Sequence, residues 1–233
     1  MQEKTIAAAA TAPVESAIGV IRISGRDAFA VGDKVFYAFS GKKLCELEGY
    51  QAAYGEIVNE GTRLDTCVAL VFKEPHSYTG EDVVELSVHG GELMLKSVLR
   101  LVLDNGARLA EAGEFTKRAF LNGKLDLTKA ESIMGLISAR NEAELRLSRA
   151  AHSGKVSRKI AEIEEGLLSA DAAISVYSDY PEEDIEELGK ERFLKLLKDA
   201  QAALNKMLSD YDSGKVLREG ISTVIVGKPN VGK

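Results

Sequence analysis

Three features of this sequence have residue types and spacing suited to chemistry. The first is the run Gly227-Lys228-Pro229-Asn230-Val231-Gly232-Lys233, which follows the short apolar β-branched segment ISTVIV (221–226). Strand, glycine-rich turn and lysine is the order of a phosphate-binding loop, G-x-x-x-x-G-K-[ST], as far as the lysine. In such a loop the converging backbone N–H groups hold the β-phosphate and the lysine neutralises charge on the β- and γ-phosphates. The Ser or Thr that follows ligates Mg²⁺. The bland alternative is a surface turn. The second feature is a pair of charges in apolar strands. In IGVIRIS, Arg22 shares a face with Val20 and Ser24, and in VVELSVHG, Glu85 shares one with Val83 and Ser87. A mid-strand charge on a small sheet usually faces solvent. The alternative is a ligand pocket, in which Glu85 suits a heteroaromatic ring with adjacent N–H donors and Arg22 suits a carboxylate. The third is EFTKRAFLNGKLDLTKAES (114–132), a polar stretch placed between two helices, where composition alone makes Lys124 a surface lysine.

The elements that must position these residues fall into two kinds. Up to about residue 116 strands and helices mix. Strands are predicted at 17–24, 51–58, 66–72 and 83–90, with turn chemistry at Asn59-Glu60-Gly61. Helices are predicted at 25–36 and at 91–107, the latter stopped at Asn105-Gly106. After residue 117 the pattern is helical only. One helix covers 128–140, and a second opens on a capping box, Asn141 with Glu144, and runs to Asp179-Tyr180-Pro181. It carries Val156, Ile160, Ile163, Leu167, Ala170 and Ile174 at alternating spacings of four and three. A third carries Phe193, Leu197, Ala200, Leu204, Met207 and Tyr211, with Gly214 as its stop. Two such stripes should pack antiparallel as core, and two helices cannot enclose both, so further helices are expected to cover them.

Composition narrows the function. The 233 residues are 45% hydrophobic, which is globular, and long enough for one or two cored domains. Two cysteines, Cys45 and Cys67, without a C-x-x-C pair, and three scattered histidines argue against a disulfide framework or a Cys/His metal cluster; buried free thiols in a reducing cytoplasm are expected. No signal peptide or membrane span is read. The net charge of −6 is a poor footprint for bulk nucleic-acid binding. Locally it splits: Lys117 to Lys159 holds ten Lys/Arg against four Asp/Glu, and Ala161 to Glu191 holds one against eleven. Either this is a solvated helical surface or it is a basic face for an anionic partner beside an acidic face that repels it.

The stretches VIRISG (20–25), SYTGEDVVELSVHGG (77–91), GEFTKRAFLNGKLDLTKAES (113–132), DYPEED (179–184), LREG (217–220) and GKPNVGK resemble the tRNA modification GTPase family MnmE (TrmE), in that family's order, with 113–132 the most specific. The resemblance implies an α+β folate-binding and dimerisation domain over 1–117. It also implies an incomplete all-α helical domain over 118–215 and the first strand and loop of a Ras-like α/β GTP-binding domain over 216–233. The chain is thus expected to be an N-terminal portion whose partner helices follow the GTP-binding domain. The resemblance further implies a homodimer working with the flavoprotein MnmG (GidA) as a heterotetramer in the cytoplasm. Together they add an aminomethyl-type group at C5 of the wobble uridine of certain tRNAs. They use a tetrahydrofolate one-carbon unit, a 5-formyl-tetrahydrofolate-type ligand, and K⁺-dependent, Mg²⁺-assisted GTP hydrolysis. Carried over by position, folate contacts fall on Arg22, Glu85 and Lys124, nucleotide contacts on Asn230, Val231, Gly232 and Lys233, and the K⁺ ligand on Asn230. No catalytic residue is assigned, and the 233 residues alone are expected not to hydrolyse GTP. The rival reading is a non-enzymatic scaffold for dimerisation and partner docking.

Overall fold

The computed structural model describes residues 4–179, 190–219, 223–224 and 226–227. The chain forms two compact units, Met1–Leu125 and Asp126–Lys233. The division lies beyond the 117/118 boundary read from the sequence, because the helix that follows Gly113 buries its polar side chains in the first unit.

The first unit is a seven-stranded sheet with helices on one face. Its strands are β1 (Ile6–Ala9), β2 (Ile18–Ser24), β3 (Phe36–Ala38), β4 (Ala52–Asn59), β5 (Thr62–Phe72), β6 (Val83–His89) and β7 (Arg108–Leu109), in the order β3-β4-β5-β6-β2-β1-β7. Every pairing is antiparallel except β1 with β7. The β4–β5 hairpin turns at Glu60 and Gly61, both at positive φ, the backbone of a two-residue turn between twisted strands. Alternation decides which residues go inside: Ile21, Ile23, Val84, Leu86, Ala69 and Val71 are fully buried on one face. Over them lie α1 (Ala28–Val35) and α2 (Glu92–Asp104), which bury Val31, Val35, Leu95, Val98 and Val102 at helical spacing. Each such side chain is worth about 1.5–3 kcal/mol of burial. The thiols differ from expectation: both are free, but only Cys67 is buried, its pKa pushed up to about 12 by burial, while Cys45 is exposed.

Three strands and one helix of this unit escape the sequence reading. β1, Ile6-Ala7-Ala8-Ala9, looks too alanine-rich for a strand, yet it is an interior strand between β2 and β7. β3 and β7 are short edge pieces. Most consequential is α3 (Glu114–Leu121), which occupies the supposedly irregular polar stretch. Its Arg118 is only 2% exposed. The guanidinium donates to Glu81 Oε1 at 2.9 Å, to Glu114 Oε1 at 3.0 Å and to the Lys4 carbonyl at 2.8 Å. Glu114 in turn takes Arg108 and the Glu111 N–H.

In the second unit, α4 (Leu127–Ser138) packs on α5 (Glu142–His152), and α5 touches both α6 (Lys155–Asp179) and α7 (Lys190–Glu219). Asn141 caps α5 by accepting from the Glu144 N–H at 2.9 Å; the Glu144 carboxylate accepts from the Arg140 N–H and the Asn141 side-chain amide rather than from the Asn141 backbone N–H. The second predicted helix is two, broken at Gly154 with φ +73, a left-handed conformation that only glycine takes at little cost. The third passes through Gly214 to Glu219 instead of stopping there. The apolar stripes stay partly open: Val156, Ile160, Ile174, Leu197 and Leu204 are exposed and Ala170 is buried. Tyr211's side chain and most of DYPEED lie outside the described residues. So do Ile221, Ser222 and Ile225 of the predicted 221–226 strand, whose remaining residues Thr223, Val224 and Val226 are not in a strand.

The Glu114 carboxyl is held at about 2, below its ordinary 4.5; Arg108's hydrogen bonds are the largest cause, followed by burial acting the other way and the Glu111 N–H. A carboxylate lowered by folding stabilises the fold above its unfolded pKa and ceases to as pH falls through the folded one. At neutral pH this amounts to about 3 kcal/mol. Urea denaturation should therefore find Glu114→Gln less stable than wild type by up to about 3 kcal/mol at neutral pH. That gap should shrink as pH is lowered from about 4.5 and be nearly closed at about 2.

Candidate functional site

β2 and β6 are neighbours, and their register sets Arg22 directly opposite Glu85. Both side chains leave the sheet on the face away from α1 and α2, since Ile21, Ile23, Val84 and Leu86 occupy the helix side. Cross-strand partners sit close enough to touch, and here Arg22 Nε and Nη2 both lie 2.7 Å from Glu85 Oε1. The two charges that the sequence assigns to different ends of a ligand are thus partners of one another. Glu85 Oε2 accepts from no side chain or backbone N–H among the described residues. The carboxylate keeps acceptor capacity, since two oxygens offer about four lone-pair sites. The pair is about three-quarters shielded, with side-chain exposures of 26% and 21%.

Two rings flank the guanidinium. The carbon of the Arg22 fork lies 5.5 Å from the Tyr78 ring centre and 5.6 Å from that of Phe115. Cation–π contact of this kind fixes the arginine and gives it an aromatic margin. Tyr78 belongs to the loop between β5 and β6, and Phe115 to α3. Tyr78 Oη and Thr116 Oγ1, 2.9 Å apart, link those two elements. The loop is anchored beneath. Ser24 Oγ donates to Glu81 Oε2 at 2.7 Å and is 2.7 Å from Thr79 Oγ1, Asn122 donates to the Thr79 carbonyl at 2.7 Å, and Arg118 binds Glu81. The buried ion network described above therefore holds the two segments that carry the rings.

Lys124 does not touch Arg22 or Glu85. Its Nζ donates to the Pro75 carbonyl at 2.9 Å, and its stem lies against Gly80. It is tied to the same loop as Tyr78, exposed, with two further N–H donors. The structure thus brings Arg22 and Glu85 into contact and connects Lys124 to them through the 73–82 loop. Tyr78, Phe115, Glu81, Glu114 and Arg118 are absent from the sequence reading. The one signal for them is the density of polar residues around 113–124, which a solvent-exposed loop does not require. Asn230, Val231, Gly232 and Lys233 lie outside the described residues. Among the described residues no cluster of three or more His, Cys, Asp or Glu is placed to hold a metal ion, and no helix is long and apolar enough to cross a membrane.

The family model described as "GTP-binding protein TrmE N-terminus" matches residues 5–124, the whole of the sheet unit and α3, and the "MnmE helical domain" matches 127–226. The chain belongs to the MnmE (TrmE) family. Its two family domains meet where the two compact units do, between Leu125 and Asp126. A protein of Alkaliphilus oremlandii (strain OhILAs) named tRNA modification GTPase MnmE is 44% identical over 233 residues, covering 99% of this chain and 50% of the relative. Those of Clostridioides difficile (strain 630) and Listeria welshimeri, so named as well, are 43% and 42% identical over 99% and 100% of this chain and 50% and 51% of theirs. The chain spans about half the length of the curated relatives it matches. An α+β unit followed by an all-α unit is the architecture the resemblance to MnmE implied. The segment 216–233, expected to begin a GTP-binding domain, is described only at 216–219, which are the end of α7, and at 223–224 and 226–227.

Gly80 shows how closely the loop is fitted. It sits at φ +79, and a Cβ there would come 3.1 Å from Asn122 Cβ and 3.3 Å from Lys124 Cγ. Gly80→Ala should cost about 1–3 kcal/mol in urea denaturation, from backbone strain plus crowding. A loss below a few tenths of a kcal/mol would show that the loop is not held against 122–124 as described.

Proposed function

We propose that the first unit binds a tetrahydrofolate on the Arg22–Glu85 face, as the folate-binding and dimerising part of a tRNA modification GTPase. The observation that carries this is the largely shielded carboxylate of Glu85, with one oxygen open, beside two aromatic rings. A reduced pterin presents a 2-amino group next to a ring N–H, two adjacent donors that can converge on the open Oε2, whose lone pairs are both available. Arg22 pairs with Glu85 and fixes its rotamer through Oε1, and the rings of Tyr78 and Phe115 offer apolar surface to a flat heterocycle. Lys124, tied to that loop through the Pro75 carbonyl, meets an anionic or carbonyl group of the ligand in this reading, either the formyl oxygen or a carboxylate of the glutamate tail. The folate supplies a one-carbon unit; the chain's residues bind and orient it.

In this reading the complete protein is a homodimer through the first unit and acts with MnmG (GidA) in the cytoplasm. It modifies C5 of the wobble uridine of certain tRNAs, and GTP bound at Asn230, Val231, Gly232 and Lys233 is hydrolysed with K⁺ on Asn230 and with Mg²⁺. The names of the relatives, tRNA modification GTPase, support the activity class. The 233 residues alone should show no K⁺-stimulated GTP turnover, because the Mg²⁺ ligand after the loop lysine and the switch segments are not among them. Turnover by the pure chain would contradict this.

Calorimetric titration with 5-formyl-tetrahydrofolate tests the folate site. Glu85→Gln keeps the shape but sets a donor against a donor, so affinity should fall roughly 30- to 150-fold, about 2–3 kcal/mol. Affinities equal within twofold, with both proteins folded, would mean that the carboxylate does not read the ring.

A further inference from the structure

The second unit carries a cationic surface that the folate reading leaves unused. On α5 the residues packed inward are Leu145, Ser148, Ala151 and His152, so Arg146 and Arg149, at helical spacing of three, project from the opposite side and are exposed. Arg140 precedes the helix and is exposed too. The turn at Gly154 leads at once into α6, whose first turns expose Lys155, Arg158 and Lys159 away from the Ile160–Ile163–Leu167 stripe. Of these six cations only Lys159 is paired with a carboxylate among the described residues, with Glu162 at 2.9 Å. Glu142 shares the α5 face at its first turn, and Glu162 ends the cationic run on α6. Four of the six are arginines, whose planar fork suits phosphate oxygens. The whole chain is acidic, at −6, so this concentration is local and the acidic remainder of α6 confines where an anion can settle.

We propose that the α5–α6 corner, Arg140, Arg146, Arg149, Lys155, Arg158 and Lys159, docks the phosphate backbone of RNA. The proposal rests on the tRNA part of the functional reading and not on the folate site. Phosphate contacts position an RNA without reading its sequence, so this surface orients tRNA, and recognition of the base to be modified lies elsewhere. An RNA is favoured over an acidic protein because the cations are long, exposed and spread along two helices, as a continuous phosphate chain requires.

The test uses the 233-residue chain and fluorescently labelled transcribed tRNA, with anisotropy titrations at several salt concentrations. Wild type should bind, with log affinity falling linearly in log salt. Arg146→Ala/Arg149→Ala should weaken binding about tenfold or more and reduce the salt slope by roughly 1.4–1.8, since each lost phosphate contact removes about 0.7–0.9. Lys96→Ala/Arg100→Ala, which removes two exposed cations of the first unit, should change neither. An affinity within twofold of wild type and an unchanged slope for the α5 variant would overturn the proposal. So would equal losses from both variants, which would mean diffuse attraction, and so would competition by polyglutamate as strong as by unlabelled tRNA. Folate binding of the α5 variant, measured in parallel, reports on the other site and stays intact in either case.

Discussion

The first unit depends on one buried cation. Arg118 is nearly inaccessible, and its guanidinium is satisfied by two carboxylates and a backbone carbonyl. A lone guanidinium in that position would be prohibitive, and the cost of burying it is offset only because Glu81, Glu114 and the Lys4 carbonyl are in place together. Those partners come from three distant parts of the chain: the segment before β1, the loop before β6 and the first turn of α3. Satisfying one charge therefore fixes three segments at once. A hydrophobic residue of equal volume would fill the space without specifying which segments meet.

From that constraint the geometry of the candidate site follows. Glu81 anchors the loop that carries Tyr78, and α3 carries Phe115; both rings close on Arg22. The sheet supplies Arg22 and Glu85 by register alone, and the rest is supplied by the network. At the centre of the network Arg118 and Glu114 are buried, 2% and 7% exposed, while Glu81 at its margin is about as open as the Arg22–Glu85 pair. Buried charges hold position and partly open charges remain able to exchange partners.

Much of this was legible in the sequence because it depends on local patterns. Period-two alternation located β2 and β6 and put Arg22 and Glu85 on the face away from the apolar residues. Helical spacing located α2, and Asn141 with Glu144 located the start of α5. What was not legible depends on contacts across the chain. β1 is a strand because both neighbours pair with it, which overrides the weak strand preference of Ala7-Ala8-Ala9. α3 was read only as part of a polar stretch between two helices because its buried side chains are Glu114 and Arg118, and only partners 37 and 114 residues away from Arg118 make their burial tolerable. That Arg22 and Glu85 would pair required knowing which strands are neighbours. Gly154 breaks a helix that the apolar spacing carried straight through, whereas Gly214 does not, so glycine alone was a poor guide to helix ends.

On our proposal the Arg22–Glu85 face, held by the Arg118 network, receives a flat nitrogen heterocycle. A crystal structure of the chain with 5-formyl-tetrahydrofolate measures this directly. The complex should show ring N–H donors within hydrogen-bond distance of Glu85 Oε2, the heterocycle against Tyr78 or Phe115, and Arg118 with its partners unmoved. A folate bound elsewhere, with Glu85 Oε2 still open, would contradict it.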